Sequence, residues 1–218
     1  MSIRKRIGVL ISGRGSNLSA LIDACKKTDY PANIVIVISN RPDAPGLDIA
    51  AKSGIPVMVV DHKKYTDREE FEAVLDATLR HVNVDLICNA GFMRLLTEKF
   101  VEDWRDRQIN IHPSLLPAFK GLHTHERAIE AGVKMSGCTV HFVRTEMDSG
   151  PIIAQAAVPV LTDDTADDLA NRVLEAEHKL YPLALKLVAS GDATVEGKRV
   201  VFKNRQTVHG PYISPWYD

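Results

Sequence analysis

The sequence predicts an α/β fold: a doubly wound, mostly parallel sheet with helices on both faces and an antiparallel strand pair in the C-terminal part. Three observations lead there. Short, almost wholly apolar runs of strand length alternate with amphipathic stretches of helical period, as expected of strands buried on both faces. A glycine-rich turn, Ser12-Gly13-Arg14-Gly15-Ser16-Asn17, directly follows the first apolar run. Two longer β-branched runs, joined by a loop holding Asp148-Ser149-Gly150-Pro151, read as an antiparallel pair closing the sheet edge.

The first strand is Ile7 to Ile11. Leu18, Leu21, Ile22 and Cys25 then recur at helical spacing, with Ser16 or Asn17 expected to cap that helix. A second strand covers Ile34 to Ile38, a short helix Gly46 to Ser53, and a third strand Val57 to Val60. Thr66-Asp67-Arg68-Glu69 has capping-box form, and Phe71, Val74, Leu75, Thr78, Leu79 and Val82 trace one helical face behind it. A fourth strand is expected at Leu86 to Asn89 and a fifth at Ile109 to Ile111, with a helix from Thr97 to Trp104 between them. Ser136 to Arg144 and Ile152 to Val160 form the late pair. Thr165 caps a long helix marked by Leu169, Val173, Leu180, Leu183 and Leu187, with a kink expected at Pro182. The stretch after Gly191 carries little signal. One domain, 1–218, is expected, with an N-terminal half in 1–100, a C-terminal half in 101–190 and a tail in 191–218.

Composition narrows the function classes. With 27 basic and 28 acidic residues the formal net charge is −1, so there is no broad basic surface to hold a nucleic acid. Cys25, Cys88 and Cys138 are far apart and form no CxxC pair, which speaks against a disulfide framework and a zinc site. No apolar stretch reaches the length of a bilayer span, and the basic N-terminus runs into the glycine-rich turn rather than a cleavage site. These features fit a cytoplasmic protein with small-molecule partners, no membrane association, and a monomeric or homodimeric state.

The glycine-rich turn joins a strand to a helix start, where free amides and the helix dipole favour an anion. A phosphomonoester suits it, with Gly13 and Gly15 permitting close backbone approach. An unliganded tight turn is the alternative. A dinucleotide is disfavoured, because Leu18 stands where the third glycine would be and Ser39-Asn40-Arg41 lacks the acidic residue that would bind a ribose.

Asn110 and His112 leave the carboxyl end of the fifth strand, where open α/β sheets bind ligands, and their side chains share one face. A neutral donor beside a titratable ring suits a reaction that develops an oxyanion and then needs a proton. Asp148, from the late loop, would favour the charged ring if it lies close to His112. Taken alone, Asn110 as a backbone-satisfying amide and His112 as a partly buried ring are more often structural than catalytic, and Asp148 reads equally as an ordinary turn residue.

Together these segments closely resemble the folate-dependent formyltransferases that act on glycinamide ribonucleotide. The matching stretches are Ser12 to Leu18, Ala90-Gly91-Phe92-Met93-Arg94-Leu95-Leu96, Asn110 to Pro117, Gly121-Leu122-His123-Thr124-His125, Val140-His141-Phe142-Val143 and Asp148-x-Gly150-Pro151, in the expected order. The resemblance implies formyl transfer from 10-formyltetrahydrofolate, as co-substrate and without a metal, to the glycinamide amine in purine synthesis. It implies Asn110, His112 and Asp148 as catalytic residues, with Gly15, Ser16, Asn17, Leu18 and Ser19 at the phosphate and Glu177 at the ribose hydroxyls. It further implies Met93, Arg94, Leu95 and Leu96 along the folate together with Asn110, their backbone meeting the pterin edge, and Arg68 towards the benzoyl-glutamate end. On residue properties alone the structural reading is preferred for all four: Leu95 and Leu96 as core, and Arg68 and Glu177 as solvated helix charges. His123-x-His125 is expected in a loop that shapes the pocket rather than at a metal. Ala118-Phe119-Lys120 departs from the pattern, leaving that loop's contacts open. The rivals are a formyltetrahydrofolate hydrolase, a tRNA-directed formyltransferase, both disfavoured by length, and a catalytically silent folate- or nucleotide-binding module.

Overall fold

The computed structural model describes residues 4–203. Its elements are β1 (Lys5–Ile11), α1 (Ser16–Cys25), β2 (Ala32–Ser39), α2 (Gly46–Lys52), β3 (Val57–Val59), α3 (Arg68–His81), β4 (Leu86–Asn89), α4 (Glu98–Asp103), β5 (Gln108–His112), α5 (Thr124–Glu130), β6 (Met135–Phe142), β7 (Ile152–Pro159), α6 (Ala166–Ala189), β8 (Ala193–Glu196) and β9 (Arg199–Phe202). Seven strands form one sheet in the order β3-β2-β1-β4-β5-β6-β7. Pairings from β3 to β5 are parallel, and β6 and β7 join antiparallel, as the sequence predicts.

Strand alternation divides the core between two faces. Ile7, Val9 and Ile11 pack with Leu18 and Leu21 of α1 and with Leu169, Val173 and Tyr181 of α6. Leu10, Ile36 and Ile87 point the other way, onto Phe71, Leu75 and Leu79 of α3 and Phe100 and Trp104 of α4. Gly8 lets α3 sit directly on β1, since a Cβ there would lie 2.7 Å from Leu79 Cδ2. Burial on both faces explains why the strand sequences carry so little polar alternation. All three cysteines are buried and unpaired.

Local details differ from expectation. Neither Ser16 nor Asn17 caps α1: the cap is Gly15, in the left-handed region at φ 79°, and the Asn17 side chain is engaged elsewhere. The α3 cap is one residue later than the Thr66–Glu69 box. Asp67 accepts from the Glu70 N–H, and the Glu70 carboxylate accepts from the Thr66 N–H and hydroxyl. The His123-x-His125 segment opens a helix, α5, instead of lying in a loop. α6 continues through Pro182 as a single helix. Part of the expected tail forms the β8–β9 hairpin, and residues 204–218 lie outside the described residues. Among the described residues no helix is long and apolar enough to cross a membrane.

Candidate active site

A cavity of about 710 Å3 opens where β4 and β5 end, beside the point at which strand order reverses between β1 and β4. In open α/β sheets the crevice at such a reversal is the general ligand position. Asn110, His112 and Asp148 all line it, as do Asn17, Glu177 and the Gly91–Leu96 segment.

The polar centre is assembled from two strands, β5 and β6, and the loop that follows β6. Asn110 lies directly across from His141 in the β5–β6 ladder, and Asn110 Nδ2 is 3.3 Å from His141 Nε2. Asp148 returns over the end of β5 because the loop between β6 and β7 is closed tightly. Phe142 N–H donates to the Pro151 carbonyl, and a Cβ at Gly150 would lie 1.7 Å from Phe142 O, so only glycine fits. Asp148 itself is left-handed, at φ 51°. Its Oδ2 lies 3.4 Å from His112 Nδ1, with the two side chains 9% and 7% exposed. The same oxygen accepts from the Gly121 N–H at 2.9 Å.

Donor and acceptor counting then orients the rings. His141 Nδ1 lies 3.0 Å from its neighbour's carbonyl, Phe142 O, and must carry the hydrogen of that contact. Burial lowers the His141 pKa against the opposing Phe142 carbonyl and the Asp148 carboxylate, whose Oδ1 lies 3.8 Å from Nε2, and in the neutral ring Nε2 accepts one Asn110 amide hydrogen. The second amide hydrogen remains for a ligand. His112 differs: Nδ1 faces the Asp148 carboxylate and Nε2 lies 3.0 Å from Phe119 O. Both partners are acceptors, so each ring nitrogen faces a group that can take a hydrogen from it. The turn behind these residues is fixed by Thr139, whose hydroxyl donates to Ser114 O and accepts from the Leu116 N–H.

On one side of this centre lies the start of α1. Gly15 approaches α2 so closely that a Cβ would meet Gly46 Cα at 2.7 Å, which fixes the turn independently of any ligand. The first-turn amides of Ser16, Asn17 and Leu18 are the ones a helix leaves without internal partners, whereas Ser19 N–H already donates to Gly15 O. Leu18 is fully buried, so only its backbone is available. Asn17 Nδ2 donates to Glu177 Oε2 at 2.7 Å. Glu177 is buried in the cavity wall, not a solvated helix charge, and desolvation pushes its pKa up to about 6 against the opposing Asn17 bond.

On the other side the Gly91–Leu96 segment has no regular structure. Met93 and Leu95 are 66% and 63% exposed while lining the cavity, so Leu95 is not core. Leu96 packs partly against the α3 side of the sheet. Arg94 is half-buried, and its Nε has no partner. Arg68 is exposed at the start of α3 and does not line the cavity.

Comparison with known proteins fits this geometry. The formyl transferase family model matches residues 5–185. The chain belongs to the formyl transferase family. Among curated relatives of this family, phosphoribosylglycinamide formyltransferase of Haemophilus influenzae is 45% identical over 86% of this chain and 88% of its own length. The trifunctional purine biosynthetic protein adenosine-3 of Homo sapiens is 52% identical over 86% of this chain, which spans 19% of that protein. The crystal structure of glycinamide ribonucleotide transformylase 1 from Symbiobacterium toebii superposes with a TM-score of 0.90 at 48% identity, covering 92% of this chain and 95% of the other.

In this member of the formyl transferase family, His141 and Asn89 are polar residues of the cavity wall that their residue types alone do not mark. His141 sits in a matched segment, yet only the β5–β6 register places it against Asn110. Asn89 ends β4 in the cavity wall, where it accepts from Gln108 Nε2 at 3.1 Å. A polar residue closing an apolar strand at its carboxyl end is the signal that singled out Asn110, and it applies equally to Asn89. His125, half-buried with its pKa lowered by desolvation, also lines the cavity.

Proposed function

We propose that the chain transfers the formyl group of 10-formyltetrahydrofolate to the amine of N1-(5-phospho-D-ribosyl)glycinamide, a step of purine biosynthesis. The observation that carries this is the convergence of Asn110, His112 and Asp148 in one cavity, with Asn17, the one residue of the α1 start that lines it, on one side and the irregular Gly91–Leu96 segment on the other. In this reading the phosphate meets the first amides of α1 at Gly15 to Leu18 and the hydroxyls of Ser16 and Ser19. Glu177 accepts from the ribose hydroxyls, and Met93 to Leu96 line the folate, with Arg68 reaching towards its glutamate end. Residues 1–218 act as one unit on small molecules.

The amine attacks the formyl carbon, forming a C–N bond as the carbonyl electrons move onto oxygen. That oxyanion is met by the free Asn110 amide hydrogen and by His112 Nε2–H, which exchanges the Phe119 carbonyl for a stronger acceptor. Asp148 holds the other ring nitrogen and so keeps the imidazolium oriented. Collapse breaks the bond to the folate nitrogen, which takes a proton from His112 directly or through water near Asp148. The attacking amine releases one proton, so the exchange balances without a metal.

The test is turnover of the purified protein with this substrate pair, following formylated product and tetrahydrofolate together in equal amounts. Formate release from the donor with water as acceptor, and none with the ribonucleotide, would make it a hydrolase. Binding of both ligands without turnover would make it a silent module.

A further inference from the structure

The Gly91–Leu96 segment lines the cavity without a helix or strand to hold it. Irregular backbone keeps one shape only when something outside over-determines it. Two buried polar side chains do so here, and neither lines the cavity.

The first is Ser12, 5% exposed at the end of β1. Its N–H donates to Gly91 O at 3.1 Å. Its hydroxyl donates to Asn40 Oδ1 at 2.6 Å, which commits the only hydroxyl hydrogen and leaves the oxygen to accept from the Met93 N–H at 2.8 Å. Asn40 is itself buried, with its carbonyl 2.8 Å from His62 Nδ1. The second is Glu72, 4% exposed on the apolar face of α3. It accepts from the Thr97 N–H at 2.8 Å and from the Thr97 hydroxyl, while that hydroxyl oxygen accepts from the Phe100 N–H. Among the described residues no lysine or arginine pairs with it. Burying a carboxylate costs free energy that its hydrogen bonds offset at best in part. An apolar residue would fill the same place between α3 and α4 if packing alone were at stake.

We propose that Ser12 and Glu72 are positioning residues for the formyl donor, clamping the two ends of the 91–97 segment so that the backbone between them keeps the shape that recognises the donor's heterocycle. This rests on the reading that this side of the cavity takes the folate. The Glu72 clamp acts on the donor side only, so loosening it raises donor KM while leaving the chemical step and the acceptor largely alone. Ser12 also opens the phosphate turn, which makes Glu72, far from that turn in sequence, the cleaner probe.

The experiment is steady-state kinetics of the full chain with the two substrates varied separately. Glu72→Ala and Ser12→Ala should each raise donor KM about tenfold, the loss expected for one or two hydrogen bonds to a recognition segment. For Glu72→Ala, kcat and acceptor KM should stay within about threefold of wild type. Glu72→Gln keeps one acceptor oxygen for Thr97 and should recover part of the donor KM. It also keeps side-chain size, so it decides the matter if Glu72→Ala does not fold. Unchanged donor KM in the folded variants, or equal rises in both KM values for Glu72→Ala, overturns the proposal and leaves Glu72 as a support for Thr97, the cap of α4. Absence of wild-type turnover with the substrate pair is a different result and removes the functional reading beneath it.

Discussion

Replacing Glu177 with glutamine should stabilise the unliganded protein while crippling recognition of the ribonucleotide. Glu177 is 6% exposed, and desolvation lifts its pKa from 4.5 to about 6. Between those values the folded chain holds more proton than the unfolded one, so stability falls as pH rises through this window and the full cost is present at neutral pH. At about 1.4 kcal/mol per unit the displacement is worth roughly 2 kcal/mol. Glutamine has no charge to desolvate and still offers an oxygen to Asn17 Nδ2, so the variant should gain up to about 2 kcal/mol at about pH 7.5 and nothing at about pH 4. Urea unfolding at the two pH values, compared with wild type, reads this difference with other titrating groups cancelling. The same substitution replaces charge-assisted bonds to the ribose with neutral ones, raising acceptor KM by about tenfold or more. A variant no more stable than wild type at neutral pH, with an unchanged pH dependence, would refute the claim that an ionised Glu177 is held there at a cost for binding.

Three further substitutions probe the polar centre. Asn110→Ala removes the amide donor and should lower the single-turnover rate on the order of 10²-fold; a near-normal rate removes Asn110 from the oxyanion. Asp148→Asn places an amide where a carboxylate oxygen receives both His112 Nδ1 and the Gly121 N–H, and kcat should fall on the order of 10³-fold with modest change in either KM. An Asp148→Asn enzyme with near wild-type kcat would show that ring orientation does not depend on this carboxylate. Gly150→Ala drives a Cβ to 1.7 Å from Phe142 O, so the hairpin loop must shift, costing about 2 kcal/mol or more in thermal or urea unfolding. Because Asp148 lies two residues away, kcat should drop with it; full activity would mean the loop's position is irrelevant to the chemistry.

The central strands were legible because a parallel sheet covered on both faces leaves few polar positions in Ile7 to Ile11 or Leu86 to Asn89. The same property made the carboxyl ends readable, since Asn110 and His112 stand out where an apolar run stops. Elements decided by geometry were harder. α5 is short and enters through a left-handed His123, so its seven residues give too little period to separate helix from loop. The β8–β9 strands are four residues each and largely uncovered, which removes the apolar signature. The α1 cap was misassigned because serine and asparagine ordinarily cap through their side chains, whereas here Gly15 turns the chain.

Polar burial accounts for the rest. Glu72 stands in Arg68-Glu69-Glu70-Phe71-Glu72, a stretch indistinguishable from a solvated helix start, and only Thr97, brought across by the loop into α4, gives that carboxylate a reason to be inside. Glu177 and Asn17 justify each other's burial across 160 positions of chain, and His141 acquires its role from the strand register opposite Asn110. Apolar burial is written residue by residue, because each side chain carries its own transfer free energy. Polar burial is written in pairs, because a buried donor or acceptor is tolerable only when a partner satisfies it. The reacting groups at the strand ends can therefore be picked out one at a time, while the side chains that aim and hold them become visible only once the fold has brought both members of each pair together.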